Sequence, residues 1–339
     1  MTPAGPLASA PATIDVVALG HPLVDVLCHE TGDVIARANV ERGAMTMVDA
    51  ARSDEIYAHL GPAQETSGGS AANTAVGVAA FGGKSAFVGR IADDTFGKVF
   101  AHDLRSAGVE FDVAPATDGS PTGRCLVIVA ADADRTMCTY LGAGAEIDPR
   151  DVDDARISSA AVTYLEGYLW DEEAAKDAIR RAAALARTAG RRVALTLSDP
   201  FCVERHRTEF LELIASDIDI LFANEQEITM LYEVETFDAA AERVNVHCPF
   251  AALTRGARGS VVICGDERYD IAADPVERVV DTTGAGDLYA AGVLYGLTHG
   301  HDPATCGRLG SLGAAEVISH LGARPEASLA SQVRALLGG

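Results

Sequence analysis

Short apolar runs alternate with helical patterns between residues 162 and 254, and this alternation restricts the fold more than any other feature of the chain. Each run has the length of a buried strand, and each intervening segment is long enough to cross back over a sheet. Strand and helix alternating in this way form right-handed βαβ units and a largely parallel sheet. The predicted elements are strands at Val162–Glu166, Val193–Leu197, Ile218–Phe222 and Phe250–Thr254, and helices at Glu172–Ala189, Arg205–Ala215, Glu225–Tyr232 and Phe237–Val246.

Polar side chains gather where three of these strands end. Ser198 and Asp199 follow one strand, Asn224 and Glu227 follow the next, and the segment Thr254–Gly259 follows a third. Ligands of open α/β sheets bind outside the carboxyl ends of the strands, so the pattern indicates a ligand crevice. Helix capping explains each cluster equally well, because Asn224 is a good N-cap residue and Glu227 falls at the third helical position.

The segment Val280–Asp287 is a second distinctive feature, in which an extended stretch is followed by a helix. The first backbone N–H groups of a helix have no internal partner, so the amides of Gly284, Ala285 and Gly286 can bind an anion such as a phosphoryl group. Asp287, in the first helical turn, would then contact a hydroxyl of the attacking substrate. A carboxylate that merely complements the helix dipole is an equally good interpretation of this segment alone.

Two features near the N-terminus indicate a binding site. The apolar run Ile14–Gly20 predicts a buried strand, and we expect Asp25 just beyond its C-terminal end. There its carboxylate would accept hydrogen bonds from two hydroxyls of a polyhydroxylated ligand, although a turn carboxylate with a structural hydrogen bond is the alternative. Gly68 and Gly69 then open a helix of small residues that runs to about Gly83, which lets the backbone approach a ligand.

Two irregular, extended regions lie outside the alternating pattern, at about 27–48 and 109–141. Their short strand patterns predict elements outside the main sheet, and the two groups can pair with each other as a small sheet. A small sheet joined to a large domain by two excursions is expected to act as a lid. We therefore predict one domain over residues 14–339 with these regions as its lid, preceded by a disordered tail of residues 1–13.

The composition of the chain limits the kinds of partner that we expect it to bind. The formal net charge of −22 argues against nucleic-acid binding, which needs clustered Lys and Arg. Seven scattered cysteines without a Cys-x-x-Cys pair predict reduced thiols, and the first thirteen residues lack the features of a signal peptide. No apolar run is long enough for a membrane span. We expect a cytoplasmic protein without nucleic-acid or membrane partners, and both a monomer and a homodimer remain open because a lid edge can pair with a second subunit.

Three stretches together resemble the signatures of the PfkB, or ribokinase-like, family of carbohydrate kinases. The Gly-Gly-Ser helix that begins at Gly68 is similar to the first signature, and Asp281–Asp287 is similar to the second. Asn224–Glu227 matches the family's Asn-x-x-Glu element. The similarity runs from about Ile14 to Arg324 and keeps the motifs in order, which makes chance agreement improbable.

Within that family, three further stretches are most similar to adenosine kinases, particularly the bacterial ones: Gly20–Asp25, Leu195–Phe201 and Asp219–Glu225. Adenosine kinases often carry Asn where this chain has His21. The resemblance implies a ribokinase-like, doubly wound α/β domain with a mostly parallel sheet and a small β-rich lid. It also implies transfer of the γ-phosphoryl group of ATP to the 5′-hydroxyl of adenosine, giving AMP in purine salvage, with Mg²⁺ and, in many members, K⁺.

The resemblance also implies a role for each catalytic candidate. Asp287 would accept the proton of the attacking hydroxyl, and we expect a weak base because a helix N-terminus stabilises its charged form. A weak base suffices, since a loose phosphoryl transition state requires orientation of the nucleophile more than its full deprotonation. The other catalytic candidates are the anion-hole residues Gly284, Ala285 and Gly286 and the lid arginine Arg135.

The remaining candidates that the resemblance implies bind ligands. Those for the substrate are Asp25, Gly68, Gly69, Asn73 and Tyr168, of which Tyr168 resembles the aromatic residue that stacks on the base. Those for ATP are Asn224, Glu227, Thr254, Gly256 and Gly259, and Glu227 is also expected to bind Mg²⁺ through water. Asp281 and Thr283 correspond to backbone-carbonyl ligands of K⁺. Tyr140, Met47 and Cys125 are further candidates for an apolar wall around adenine, although each residue alone is more often simple core packing.

Adenosine kinase is thus the leading hypothesis. Its closest alternative is a kinase of the same fold that phosphorylates a free sugar, such as ribose or fructose, or another nucleoside. A non-catalytic ligand-binding regulator is a third hypothesis, and the intact Asp287 and its neighbouring glycines argue against it.

Overall fold

The larger of two sheets in the computed structural model contains eight strands. The structure describes residues 11–29, 34–130 and 135–338, so residues 1–10 of the predicted tail and parts of both predicted lid regions lie outside the described residues. The strands of this sheet are β1 (Ile14–Leu19), β5 (Ser85–Val88), β8 (Ala160–Glu166), β9 (Arg192–Thr196), β10 (Ile220–Asn224), β11 (Phe250–Thr254), β12 (Ser260–Cys264) and β13 (Glu267–Ile271). Their order is β13-β12-β11-β10-β9-β8-β1-β5, and only β12 and β13 are antiparallel to their neighbours. The predicted mostly parallel α/β fold is confirmed.

Helices cover both faces of this sheet, because alternate residues of its strands face opposite sides. In β1, Val16 and Ala18 pack into one apolar cluster, whereas Val17 and Leu19 pack into another. The first cluster takes residues from α3 (Ser70–Phe81), α4 (Thr95–Ser106), α10 (Ala285–Thr298), α11 (Pro303–Val317) and α12 (Leu329–Leu337). The second takes residues from α5 (Asp154–Ser159), α6 (Glu173–Thr188), α7 (Pro200–Asp217), α8 (Glu225–Tyr232) and α9 (Phe237–His247).

A smaller, five-stranded sheet lies outside this arrangement. Its strands are β2 (Leu23–His29), β3 (Met45–Met47), β4 (Ala63–Gly68), β6 (Thr122–Val129) and β7 (Arg135–Gly142), in the order β3-β7-β6-β2-β4. The two predicted groups of extended segments pair with each other, β2 with β6 and β3 with β7. Helices α1 (Val34–Ala38) and α2 (Ala50–Tyr57) and strand β4 were not predicted. The start of the second predicted region, residues 109–113, was expected to be extended and contributes a single bridge from Glu110 to Ala86.

Asp25 comes after β1, as predicted, but it lies within β2, so the alternative of a turn carboxylate is wrong. It pairs with Thr66 of β4 on one side and with Cys125 of β6 on the other. Both partners are distant in sequence, so the place of Asp25 in a sheet depends on pairing that the local pattern does not show. The carboxylate therefore projects from the smaller sheet instead of the edge of the larger one.

Two further sequence predictions can be compared with the described residues. All seven cysteines are free thiols, as predicted. Within the ranges that the structure describes, no helix combines the length and the hydropathy that a membrane span needs.

Helices α3 and α10 cross closely, and this crossing brings their N-termini together. A Cβ atom on Gly77 would lie 2.5 Å from Cβ of Ala291 and 2.8 Å from Cδ1 of Leu288. The crossing therefore requires a residue without a side chain at position 77.

We expect Gly77→Val to destabilise the protein by about 1–3 kcal/mol, because the new side chain overpacks a crossing that cannot widen without moving both helices. Urea unfolding followed by circular dichroism measures this loss. Ala184→Val, at an exposed position of α6, is the matched control for the β-branched side chain and should change stability by less than about 1 kcal/mol. Equal losses in the two variants would contradict the close crossing.

Candidate active site

The carboxylate of Asp287 is bonded to the helix that carries the first signature. Asp287 lies in the first turn of α10, as predicted, after Gly284, whose φ of 78° is in the left-handed region. Ser70 Oγ donates to Oδ1 of Asp287 at 2.6 Å, and Asn73 Nδ2 donates to Oδ2 at 2.9 Å. The two sequence signatures, which lie more than 200 residues apart, therefore meet at one carboxylate.

The predicted anion hole is only partly free. The Ala285 N–H donates to the Thr282 carbonyl at 3.2 Å, so this amide already has a partner. The N–H groups of Gly284 and Gly286 have no acceptor within the part of the chain that the structure describes. A Cβ atom on Gly286 would meet no atom within 4 Å, so there is open space beside this residue. The helix start can thus receive an anion at Gly284 and Gly286.

Burial makes Asp287 a stronger base than the sequence suggested. It raises the pKa of Asp287 to about 6, the hydrogen bonds from Ser70 and Asn73 lower it in part, and the Glu166 charge raises it further. The prediction of a weak base is therefore wrong, because loss of solvation outweighs stabilisation at the helix N-terminus. A carboxylate with this pKa is still ionised at neutral pH.

Asp25 lies beside the start of α3, where Gly68 gives it room. A Cβ atom on Gly68 would lie 2.2 Å from Oδ2 of Asp25. Burial raises the pKa of Asp25 to about 6, the charges of Arg324 and Arg135 lower it, and the charge of Asp287 raises it. Asp25 and Asp287 are therefore close enough to influence each other, as a shared site requires.

The turn that begins α3 is held by a buried contact between His21 and Glu166 that the sequence did not reveal. Glu166, at the end of β8, accepts from the Ala71 N–H at 2.9 Å and lies 3.1 Å from Nδ1 of His21. Gly69 has a φ of +95°, and a Cβ atom there would lie 2.2 Å from the His21 carbonyl oxygen. His21 and Glu166 are both buried, and their contacts hold the Gly68–Gly69 turn in place.

Arg135 joins the smaller sheet to the segment before α10. Its Nη2 atom lies 2.6 Å from Oδ2 of Asp281, and its Nη1 atom donates to Thr283 Oγ1 at 3.1 Å. The Asp281 carboxylate also accepts from the Thr283 N–H and from the Gly322 N–H. The backbone carbonyls of Asp281 and Thr283 accept no backbone hydrogen bond from any described residue.

A cavity of about 520 Å³ adjoins the start of α10. It is lined by three predicted ATP-binding residues, Thr254, Gly256 and Gly259, and by two predicted anion-hole residues, Ala285 and Gly286. Its volume suits a nucleotide. The structure therefore brings the predicted nucleotide turn and the helix start to one cavity.

Asn224 and Glu227 form a capping box at the start of α8 and do not line that cavity. Glu227 accepts from the Asn224 N–H at 2.9 Å and from its Nδ2 atom, and Asn224 Oδ1 accepts from the Glu227 N–H at 2.9 Å. Burial raises the pKa of Glu227 to about 7. Asn224 pairs with Thr254 in the register of β10 and β11, so the box lies next to the nucleotide turn on the same sheet edge.

A second cavity, of about 230 Å³, is lined by Asp25, Arg135 and the inner face of the smaller sheet. Strand register arranges that face in two rows across the sheet. The first row is Thr66, Asp25, Cys125, Thr139 and Met47, and the second row is Gln64, Leu27, Val127, Met137 and Met45. Both rows begin with polar residues at β4 and end with methionines at β3 that are about half exposed, Met45 at 47% and Met47 at 53%.

Tyr168 is separated from the Asp25 cavity. It follows β8, its hydroxyl donates to the Ser198 carbonyl at 3.4 Å, and it does not line that cavity. Cys125 lines the cavity, whereas Tyr140 and Met47 do not. Arg324, which lines it, was not among the sequence candidates, since one charged residue in a C-terminal loop carries no pattern. Nowhere in the described chain do three or more His, Cys, Asp and Glu side chains converge as a metal site.

Because the pKa of Asp287 is raised, we predict that its ionisation lowers the free energy of unfolding as the pH rises. Its folded pKa exceeds the usual value, so the carboxyl group stabilises the fold while protonated and loses that contribution as the pH rises through about 6. We expect the free energy of unfolding of Asp287→Asn, relative to the wild type, to increase by about 1–1.5 kcal/mol between pH 5 and pH 8. Urea unfolding at each pH measures it.

Asp266→Asn is the matched control, because Asp266 is exposed in the turn between β12 and β13. Its stability difference from the wild type should stay constant over the same pH range. A constant difference for Asp287→Asn as well would show that burial does not perturb this carboxyl group.

Comparisons with known proteins agree with this geometry. The family model for pfkB family carbohydrate kinases matches residues 22–329. The solved structure of adenosine kinase from Sinorhizobium meliloti is 48% identical, covers 96% of this chain and 100% of its own, and superposes with a TM-score of 0.89. That superposition confirms the ribokinase-like fold.

Relatives with different substrates are also similar. Adenosine kinase of Saccharomyces cerevisiae is 27% identical over 91% of this chain and 96% of its own length. A 5-dehydro-2-deoxygluconokinase of Geobacillus thermodenitrificans is 27% identical over 74% of this chain and 78% of its own length. This family uses ATP as the phosphate donor. The chain belongs to the pfkB family of carbohydrate kinases and is a phosphotransferase with an alcohol group as acceptor.

Proposed function

We propose that the protein is an adenosine kinase that transfers the γ-phosphoryl group of ATP to the 5′-hydroxyl of adenosine, forming AMP for purine salvage. The observation that carries this proposal is the inner face of the smaller sheet, where an apolar row lies directly beside Asp25. Its similarity to the adenosine kinase of Sinorhizobium meliloti supports the same substrate.

The two rows of the smaller sheet suit the two halves of a nucleoside. Asp25, in the first row, can accept hydrogen bonds from the ribose 2′ and 3′ hydroxyls, beside Gly68 and Gly69. Leu27, Val127 and Met137, in the second row, offer an apolar surface to the flat face of a purine, with Gln64 at one end as a hydrogen-bonding group. A free sugar would place hydroxyls against this row without partners.

The hydrogen bonding of Asn73 supports the proposal that a substrate hydroxyl binds close to Asp287. Its Nδ2 atom donates to Asp287, while its Oδ1 atom is buried and has no hydrogen-bond partner among the described residues. A buried acceptor without a partner is costly, and a substrate hydroxyl would supply the missing donor. Asn73 therefore belongs to the proposed substrate site. We propose Tyr168 as a further contact at the outer edge of the substrate site.

The reaction follows from the charges at the start of α10. The 5′-hydroxyl oxygen forms a bond to the γ-phosphorus, its proton moves to Asp287, and the bond between the γ-phosphorus and the departing ADP oxygen breaks. Asp287 is ionised at neutral pH and so can accept the proton. The amides of Gly284 and Gly286 stabilise the negative charge of the transferring group, with Ala285 as a weaker contributor, and Arg135 neutralises part of it.

The cavity of about 520 Å³ is the proposed ATP site. Thr254, Gly256 and Gly259 would surround the nucleotide, and Asn224 and Glu227 would act on its phosphates from the neighbouring strand end. The residues fit a Mg²⁺ ion bound through water, because the buried Glu227 carboxylate has a raised pKa that a nearby cation would lower. When bound, the ion would supply charge neutralisation at the phosphates.

The free backbone carbonyls of Asp281 and Thr283 fit a K⁺ site next to the anion hole. We also propose that residues 14–339 form one kinase domain and that its regions at about 27–48 and 109–141 act as a lid. The Arg135–Asp281 pair would hold that lid against the segment before α10 and exclude water from the transferring phosphoryl group. We place the enzyme in the cytoplasm, as a monomer or homodimer, in agreement with its free thiols.

A kinase of the same fold acting on a free sugar is the alternative, and the similarity to a 5-dehydro-2-deoxygluconokinase favours it. The two hypotheses differ in the use of the second row, since only a substrate with a base would contact Val127 and Met137. A substrate comparison combined with a change in that row separates them.

We expect adenosine, inosine and guanosine to have a higher kcat/KM than ribose and fructose, because only a nucleoside fills both rows. Among the three nucleosides we expect adenosine to be the best, in keeping with the similarity to the adenosine kinase of Sinorhizobium meliloti. Val127→Asn should lower kcat/KM for adenosine by about tenfold or more, since it places a polar group against the base, and should affect ribose far less. Met47→Gln, at the exposed end of the first row, is the matched control and should change neither value. A free sugar as the best substrate would refute the adenosine proposal.

Removing the proposed base should abolish most activity without unfolding the protein. We expect Asp287→Asn to lower kcat by roughly 10²–10⁴, while KM for both substrates changes little. Steady-state kinetics measures the loss, and circular dichroism verifies folding. Full activity in this variant would remove Asp287 from the proposed role.

A further inference from the structure

Arg324, in the loop after α11, is fixed against the segment that begins α3. Its Nε and Nη2 atoms donate to the Ser67 carbonyl at 3.2 and 2.9 Å. Nη2 also donates to Ser67 Oγ at 3.1 Å, and Nη1 donates to the Ala72 carbonyl at 3.4 Å. All these acceptors are neutral, and no carboxylate of the described chain lies within ion-pair distance of this guanidinium. Its positive charge is therefore held in place without being neutralised locally.

The same short segment also positions both carboxylates of the site. Asp25 lies against Gly68, and Asp287 accepts from Ser70 and Asn73. Arg324 binds Ser67 and Ala72 of this segment and lines the same cavity as Asp25. Residues 67–73 thus bring one guanidinium and two carboxylates to a common point, although the three charged groups come from separate elements.

We propose that Arg324 is a positioning residue whose fixed charge keeps Asp25 and Asp287 ionised together at the substrate site. The proposal rests on the roles assigned above to these two carboxylates, and it adds a residue to which no sequence motif assigns a role. Two buried carboxylates beside each other disfavour their own ionisation, and a nearby cation offsets that effect. Asp25 must be charged to accept two ribose hydroxyls, and Asp287 must be charged to accept a proton.

The charges that surround these groups support the proposal. Arg324 lowers the pKa of both Asp25 and Asp287, and burial lowers the pKa of Arg324 itself only to about 10, so it stays protonated. The other charged or titratable groups that face the three come from different elements: Arg135 on β7, Asp103 on α4, Glu166 and Tyr164 on β8, Tyr168 just after β8, and Cys125 on β6.

Arg135 is the other cation near Asp25, but it is already paired with Asp281. Arg324 is bonded to β4 and α3 and does not depend on that pair. Arg324 is therefore the cation near both carboxylates that is not already used in an ion pair with another described carboxylate.

The test is the pH dependence of kcat/KM between pH 5 and pH 9, with the acceptor that the wild type phosphorylates best. Arg324→Gln removes the charge, and Arg324→Lys keeps the charge but loses the fork that binds Ser67 and Ala72. Arg334→Gln, at an exposed position of α12, changes the net charge of the protein equally and is the matched control.

We expect the acid limb of the wild-type and Arg334→Gln profiles near pH 6 and that of Arg324→Gln about one pH unit higher. This shift appears as a loss of about fivefold in kcat/KM at pH 6 and nearly tenfold at pH 5, and the loss largely recovers at pH 9. Arg324→Lys should keep the wild-type acid limb while KM for the acceptor rises. A loss in Arg324→Gln that is equal at every pH would overturn the proposal and leave Arg324 a structural residue.

If Arg324→Gln does not fold, Arg324→Lys decides the question, because an acid limb that moves in a charge-retaining variant contradicts the proposal. Failure of the adenosine proposal is distinguishable, since it would change the best acceptor of the wild type rather than the effect of Arg324 on the pH profile.

Discussion

The contact between the Asp287 carboxylate and the first turn of α3 is the interaction on which the rest of the site depends. Ser70 and Asn73 bind its two oxygens, and the close crossing of α3 and α10 at Gly77 makes that contact possible. Because both helices begin at the carboxyl edge of the larger sheet, their N-termini face the same space. The proposed substrate side and the proposed phosphate side therefore meet at Asp287.

Burying the two carboxylates is unfavourable for their charged forms, and the same burial raises their pKa values. The pKa of Asp25 and that of Asp287 are both raised to about 6 because these carboxylates lose solvent, whereas hydrogen bonds and nearby arginines limit the rise. The buried pair of His21 and Glu166 holds the turn between them from the opposite side. A carboxylate can accept a proton only while it is ionised. The balance between burial, which raises the pKa, and the stabilising contacts, which lower it, therefore keeps Asp287 available as a base at neutral pH.

On the proposed function, the smaller sheet determines which acceptor is phosphorylated. We propose that the larger sheet and the start of α10 supply phosphoryl transfer, in a family whose members include an adenosine kinase and a 5-dehydro-2-deoxygluconokinase. The inner face of the smaller sheet places apolar Val127 and Met137 one row from Asp25. A hydroxyl-binding carboxylate next to an apolar surface suits a ribose joined to a base better than a free sugar.

The sequence by itself determined the elements that local periodicity encodes. Strand β11 and helix α8 have the predicted bounds, the ends of β8, β9 and β10 are within two residues of prediction, and the helix start at Asp287 is where its motif placed it. Tertiary structure decided what depends on distant partners. Asp25 became part of β2 through pairing with β4 and β6, burial strengthened Asp287 as a base, and contacts with Ser67 and Ala72 brought Arg324 into the site. Periodicity is a property of neighbouring residues, whereas strand pairing, loss of solvent and the placement of a lone charge arise only when remote segments meet.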